Sequence, residues 1–195
     1  RYLGLSDPQT LLAAGDLLLD QGLSAEAAQR YLAAETLGDT APDRLLRAAE
    51  GLLTRGELEV ADRLLGRIGK RAVTSAAEKR HLAFLNARLL EARRDEEGAL
   101  AAYQTLLKTH PLDPPLLLRT ARLLQRRGNL TEAHELYTRV ERNATGSHRQ
   151  NALVRLAQIA VERDDIPRAV ERLETALRIE PADYIRDYLQ RIRTL

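Results

Sequence analysis

The side chains best equipped for metal ligation or proton transfer are four histidines, His81, His110, His134 and His148. No two of them sit at metal-ligand spacing on one helix, and no His-Glu-x-x-His occurs. Each is read as solvated or locally packed. The absence of cysteine removes thiolate nucleophiles, Cys-ligated zinc, iron–sulfur clusters and disulfides together. Gly66-Arg-Ile-Gly69-Lys70 invites a phosphate-loop reading, but it lacks the full spacing and the Ser/Thr that would hold magnesium. A loop ending a helix explains it better. Asp164-Asp165 and Glu96-Glu97 sit at turns, where acids complement the positive N-terminus of the next helix. Asn129-Leu-Thr131 and Asn143-Ala-Thr145 match the glycosylation triplet, a pattern common by chance. No nucleophile is paired with a base. The expectation is a non-catalytic chain with no metal and no cofactor.

The elements carrying these residues follow from composition and period. Of 195 residues, 44% are hydrophobic and 30% charged, but only 4% are aromatic. A core so poor in aromatics is built from Leu, Ala, Val and Ile, and Ala/Leu/Glu/Arg-rich composition favours helices. The net charge of +2 hides a division: residues 1–62 hold 5 Lys+Arg against 11 Asp+Glu, a net of −6, and residues 63–195 hold 25 against 17, a net of +8. The apolar run from Leu11 to Leu19 is interrupted by Gly15 and Asp16 and is too short to span a bilayer, which needs about 20 residues. The chain begins at Arg1 rather than Met, which suggests a piece of a larger protein.

An internal period organises the chain. Ala27-x3-Tyr31, Ala61-x3-Leu65, Ala99-x3-Tyr103, Ala133-x3-Tyr137 and Ala169-x3-Leu173 recur with alanine spacings of 34, 38, 34 and 36. A small residue stands 12 positions before each alanine: Gly15, Ala49, Ala87, Ala121 and Ala157. Two antiparallel helices approach closely where both present small side chains, while Leu18, Leu52, Leu90 and Leu124 fill the space beside the crossing. The pattern predicts five helix–turn–helix hairpins, each needing its neighbours to bury its apolar face. Asp7-Pro8 and Asp113-Pro114 place an N-cap before a first-turn proline. Ser75 with Glu78, and Asn129 with Glu132, suggest capping boxes, the former opening a longer helix over about 75–93.

This pattern resembles the tetratricopeptide repeat family over roughly residues 8–183. The resemblance rests on the period, the small residue of each first helix and the Ala-x3-Tyr/Leu of each second. A helix-closing proline stands at Pro111 and Pro181, whereas Asp39, Val73 and Thr145 hold that place elsewhere. Leu11, Leu45, Ala83, Leu117 and Leu153 replace the family's large aromatic early in the first helix. The resemblance implies an all-α, right-handed α-solenoid of about five hairpins, at 8–41, 42–75, 76–113, 114–147 and 148–181, with a capping helix over 182–195. It also implies a protein or peptide partner along the concave face lined by the first helices.

Two rows of first-helix residues would form that face. Leu12, Leu46, Phe84, Leu118 and Val154 are apolar throughout, and one turn later come Asp16, Glu50, Arg88, Arg122 and Gln158. The apolar row is either core between adjacent hairpins or, if exposed, an apolar stripe for a partner segment. The second row runs from acidic to basic, which would give a partner polarity and register or allow head-to-tail self-association. The chaperone-binding members' grip on a C-terminal carboxylate is not expected, because Asp16 and Glu50 would repel it. Nucleic acid is not expected either, although Arg88, Arg119, Arg122 and Arg126 cluster in the basic part. In style the repeats are similar to the periplasmic regions of bacterial exopolysaccharide-export and outer-membrane assembly proteins, which recruit a partner enzyme. A cytoplasmic peptide-sensing regulator is the alternative; of the two settings, the periplasm is the expectation.

Overall fold

A computed structural model describes residues 7–38, 41–70 and 75–194. Eleven α-helices and no strands occur among them. Short turns join α1 (Pro8–Asp20) to α2 (Ser24–Leu37), α3 (Pro42–Thr54) to α4 (Leu58–Lys70), α5 (Ala76–Ala92) to α6 (Glu96–Thr109), α7 (Pro114–Arg126) to α8 (Leu130–Asn143), and α9 (Gly146–Glu162) to α10 (Ile166–Ile179). A single helix, α11 (Asp183–Ile192), follows and packs on α10. The all-α, helical-hairpin class is the one expected. Helix α9 starts at Gly146, two residues ahead of the expected repeat start. Asp39 and Val73 lie outside the described residues.

Each hairpin turns in the same way. Residues Gly22, Gly56, Arg94, Gly128 and Asp164 all have positive φ, between 60° and 83°. The next residue's N–H reaches back to a carbonyl five positions earlier: Leu23 to Leu18, Glu57 to Leu52, Asp95 to Leu90, Asn129 to Leu124 and Asp165 to Ala160, at 2.8–3.0 Å. This is the Schellman closure, which satisfies carbonyls left over at a helix C-terminus. Glycine takes the left-handed position in three turns without a Cβ penalty; Arg94 and Asp164 carry that cost in the other two.

The repeat residues are buried as a set. Gly15, Ala49, Ala87, Ala121 and Ala157 and their second-helix counterparts Ala27, Ala61, Ala99, Ala133 and Ala169 are all ten buried. The large residue one turn on, from Tyr31 to Leu173, is at most 1% exposed in every hairpin. The closeness of approach shows at Gly15, where a Cβ would lie 2.5 Å from the Tyr31 ring.

Side-chain caps open five of the described helices. Asp7 accepts from the Thr10 N–H at 2.8 Å and Asp113 from the Leu116 N–H at 3.1 Å, each just before a proline. Ser75 accepts from Glu78 at 3.5 Å. Asp95 and Asp165 cap α6 and α10 by accepting from Gly98 and Arg168. Asn129 occupies the N-cap of α8, but its side chain makes no capping bond, so the expected box does not form there. Gly66 to Lys70 is the last turn of α4 rather than a loop, because Leu65 and Ile68 bury their side chains and hold the segment helical.

The chain divides into two compact units, Arg1–Ala102 and Tyr103–Leu195. In the first, α1 packs on α2 and α3, and α3 on α4 and α5, around Leu12, Leu45, Leu46, Leu52 and Leu64. In the second, α9 lies against α7, α8 and α10. Leu153, Ala157, Leu173, Ile185 and Ile192 form the core beneath α11.

Candidate functional site

The two units treat the same register positions differently. In the first unit Leu12 and Leu46 are 1% and 0% exposed, so these side chains are core. Phe84 is half-buried and packs against that core. The polar positions of this unit are tied to one another. Asp16 accepts from the Tyr31 hydroxyl at 2.9 Å and pairs with Arg44 at 3.4 Å. Burial, followed by that bond to Asp16, pushes the Tyr31 hydroxyl well above its ordinary pKa. Glu50 pairs with Arg88 at 2.6 Å and with His81 at 3.4 Å. Arg88 also lies 6.0 Å from the centre of the Phe84 ring.

In the second unit a groove opens along the first helices. Pro115, Leu118, Arg119 and Arg122 of α7 face His148, Asn151 and Arg155 of α9, with Tyr137 of α8 between them. An adjoining hollow, sharing Asn151 and Arg155, adds Val154 and Gln158 of α9 and Tyr184, Tyr188 and Arg191 of α11. Leu118 is half-buried, and Val154, at 9% exposed, closes the floor while belonging to the core. Arg155 donates to the Gln158 amide oxygen at 3.0 Å. The Tyr137 hydroxyl donates to Gln125 at 3.2 Å; burial pushes it up to about 12, with Arg155 and Arg122 pulling the other way. No carboxylate lines either part of this groove among the described residues. Glu162 is the nearby acid, at 3.5 Å from the Gln125 amide nitrogen, and it helps raise the Tyr188 hydroxyl after burial.

Of the ten expected face residues, four (Leu118, Arg122, Val154 and Gln158) line this groove, and Asp16, Glu50 and Arg88 are linked within the first unit. Sequence reasoning did not single out His148, Asn151, Arg155 or Arg191 for this face. Arg155 follows Val154 directly, so helical register alone would have placed it beside the expected row. The histidines do not form a metal site: no group of three His, Asp or Glu able to hold an ion occurs among the described residues. His81 is beside Glu50, His110 beside Thr109, and His134 lies in an arginine-lined cleft away from the groove. No described helix is long and apolar enough to cross a membrane.

Comparison with known proteins agrees with this geometry. Residues 84–148, from the middle of α5 to the start of α9, match the family model of the tetratricopeptide repeat. The chain is similar to a tetratricopeptide repeat protein from Parabacteroides merdae, with a TM-score of 0.70 at 15% identity over 97% of this chain and 72% of that one. It is similar to PilF of Pseudomonas aeruginosa, with a TM-score of 0.71 at 14% identity over 95% of this chain and 82% of that one. It is also similar to YrrB, a tetratricopeptide repeat protein with an unusual peptide-binding site, with a TM-score of 0.63 at 16% identity over 97% and 93% of the two chains. No curated protein matches the sequence. Residues 84–148 thus carry the tetratricopeptide-repeat match, and the chain as a whole shares the fold of these solved tetratricopeptide-repeat structures.

Proposed function

We propose that this chain is a non-catalytic adaptor that holds an extended acidic peptide in the groove along α7, α9 and α11. The observation carrying this reading is the lining of that groove: Arg119, Arg122, His148, Arg155 and Arg191 stand among Leu118, Val154, Tyr184 and Tyr188, with no carboxylate. Guanidinium groups meet carboxylates through paired N–H donors, and the apolar and aromatic side chains between them add buried area. Opposite charge steers the partner in and fixes its direction.

Fluorescence anisotropy with a labelled peptide of alternating Glu and Leu, against one of alternating Lys and Leu, tests the reading. The acidic peptide binds, and Arg155→Glu weakens it about tenfold or more, equivalent to about 1.4 kcal/mol. Equal binding of both peptides, or no effect of the variant, overturns the proposal. Tighter binding of a single-stranded RNA oligomer than of the acidic peptide would overturn it in favour of nucleic acid.

A further inference from the structure

A second basic cleft lies where α8, α9 and α10 meet, away from the groove. Arg142 of α8, Arg149 of α9, and Arg168 and Arg172 of α10 line it together with His134, Thr138 and Glu141. Arg149 Nε is buried and has no hydrogen-bond acceptor among the described residues. A buried donor without an acceptor is costly, and four guanidinium groups at one cleft repel one another unless an anion sits between them. The protein compensates in part, with Glu141, Asp165 and Glu171 all acting on Arg172. Asp165 pairs with Arg168 at 3.2 Å while capping α10, and Glu141 is the one carboxylate in the lining. Arg172 donates to the Leu156 carbonyl at 3.3 Å, so one of its nitrogens is satisfied by backbone. His134 is held below its ordinary pKa first by burial and then by Arg172 and Arg163, against Glu141, which pulls it up. It therefore adds no strong positive charge of its own at neutral pH.

From the buried Arg149 Nε and the convergence of Arg142, Arg168 and Arg172, we infer that this cleft is an oxyanion site that takes phosphate or a small phosphate monoester. A tetrahedral dianion offers more acceptor oxygens and twice the charge of a carboxylate, matching several planar donors at once. The cleft, of about 550 Å³, also has room for a small organic group attached to the phosphate. This site is separate from the peptide groove and shares no lining residue with it.

Thermal unfolding of the whole chain tests the inference, with inorganic phosphate, glycerol 3-phosphate, sodium acetate and sodium chloride at matched ionic strength. Inorganic phosphate or glycerol 3-phosphate raises the midpoint in a saturable way and the other two salts do not. Arg149→Gln weakens the apparent affinity about tenfold or more. Should that variant fail to fold, Arg168→Gln, whose side chain is 64% exposed, serves the same purpose with little risk to packing. A stronger effect of glycerol 3-phosphate identifies an ester, and equal effects identify the free ion. Equal shifts with chloride, or unchanged affinity in both arginine variants, overturn the inference. So does loss of the phosphate effect in Arg155→Gln, which would place the anion in the peptide groove.

Discussion

Arg88 donates to Glu50 at 2.6 Å across 38 residues of sequence, joining the first helix of the third hairpin to that of the second. Its other terminal nitrogen reaches the Thr54 hydroxyl at 3.2 Å, and its side chain is only 12% exposed. The point in the expected polar row where acid gives way to base is thus a direct ion pair inside the first unit.

A pair with one mostly buried member has measurable coupling. Arg88→Met and Glu50→Gln, singly and together, are expected to give a coupling energy of about 1–2 kcal/mol in urea unfolding. Glu50 is 42% exposed, which keeps the value below that of a fully buried pair. Additive single effects would show that the contact contributes nothing.

Two glycines test the helix crossing. In Gly15→Ala the new Cβ meets the Tyr31 ring at 2.5 Å, and that ring is buried and bonded to Asp16. Overpacking by about 1–3 kcal/mol outweighs the helix-propensity gain of about 1 kcal/mol, so stability falls. In Gly51→Ala the Cβ meets only the end of the Leu19 side chain, which can rotate away. That variant is expected to be neutral or slightly stabilising, and thermal unfolding of both decides.

Leu46 and Leu118 hold the same register position with different roles. Leu46→Ala empties a fully buried site and is expected to cost about 2–5 kcal/mol. Leu118→Ala removes a half-buried side chain from the groove wall, so its stability cost is smaller and binding of the Glu/Leu peptide weakens. Chemical denaturation and anisotropy on the same preparations separate the two. Equal losses of stability would contradict the assignment.

His134 gives the chain an acid-side pH dependence. Its pKa in the folded protein lies below 6.5, its ordinary value, so the unfolded chain binds the proton more readily. The stability contributed by neutral His134 is complete above pH 6.5 and declines as pH falls through 6.5 towards the lower folded pKa. In phosphate-free buffer, His134→Gln is expected to flatten the stability profile between pH 7 and 5. An unchanged slope would assign that dependence to other groups.

The hairpin fold is legible in the sequence because one physical demand, a small residue at a helix crossing, recurs at Gly15, Ala49, Ala87, Ala121 and Ala157 with a fixed 12-residue offset to its partner. Burial at these crossings is set by backbone proximity, which periodicity reports directly. The binding face is less legible. Leu12, Leu46 and Leu118 have the same residue type in the same register, yet a cleft between α7 and α9 leaves only the last partly open. Likewise the Glu50–Arg88 pair depends on how two side chains reach across neighbouring helices, which residue spacing does not encode.

The uniform hairpin turn has a consequence for how such a chain can change over time. From α1–α2 to α9–α10, every hairpin is joined by three residues in one conformation, whereas the joints between hairpins range from two residues between α8 and α9 to five between α4 and α5. A deletion or insertion in a turn would break a Schellman closure and rotate one helix off its crossing residue. The same event between hairpins leaves both crossings intact. Insertions and deletions therefore accumulate at the joints, and whole hairpins are the units by which the protein can be gained, lost or exchanged.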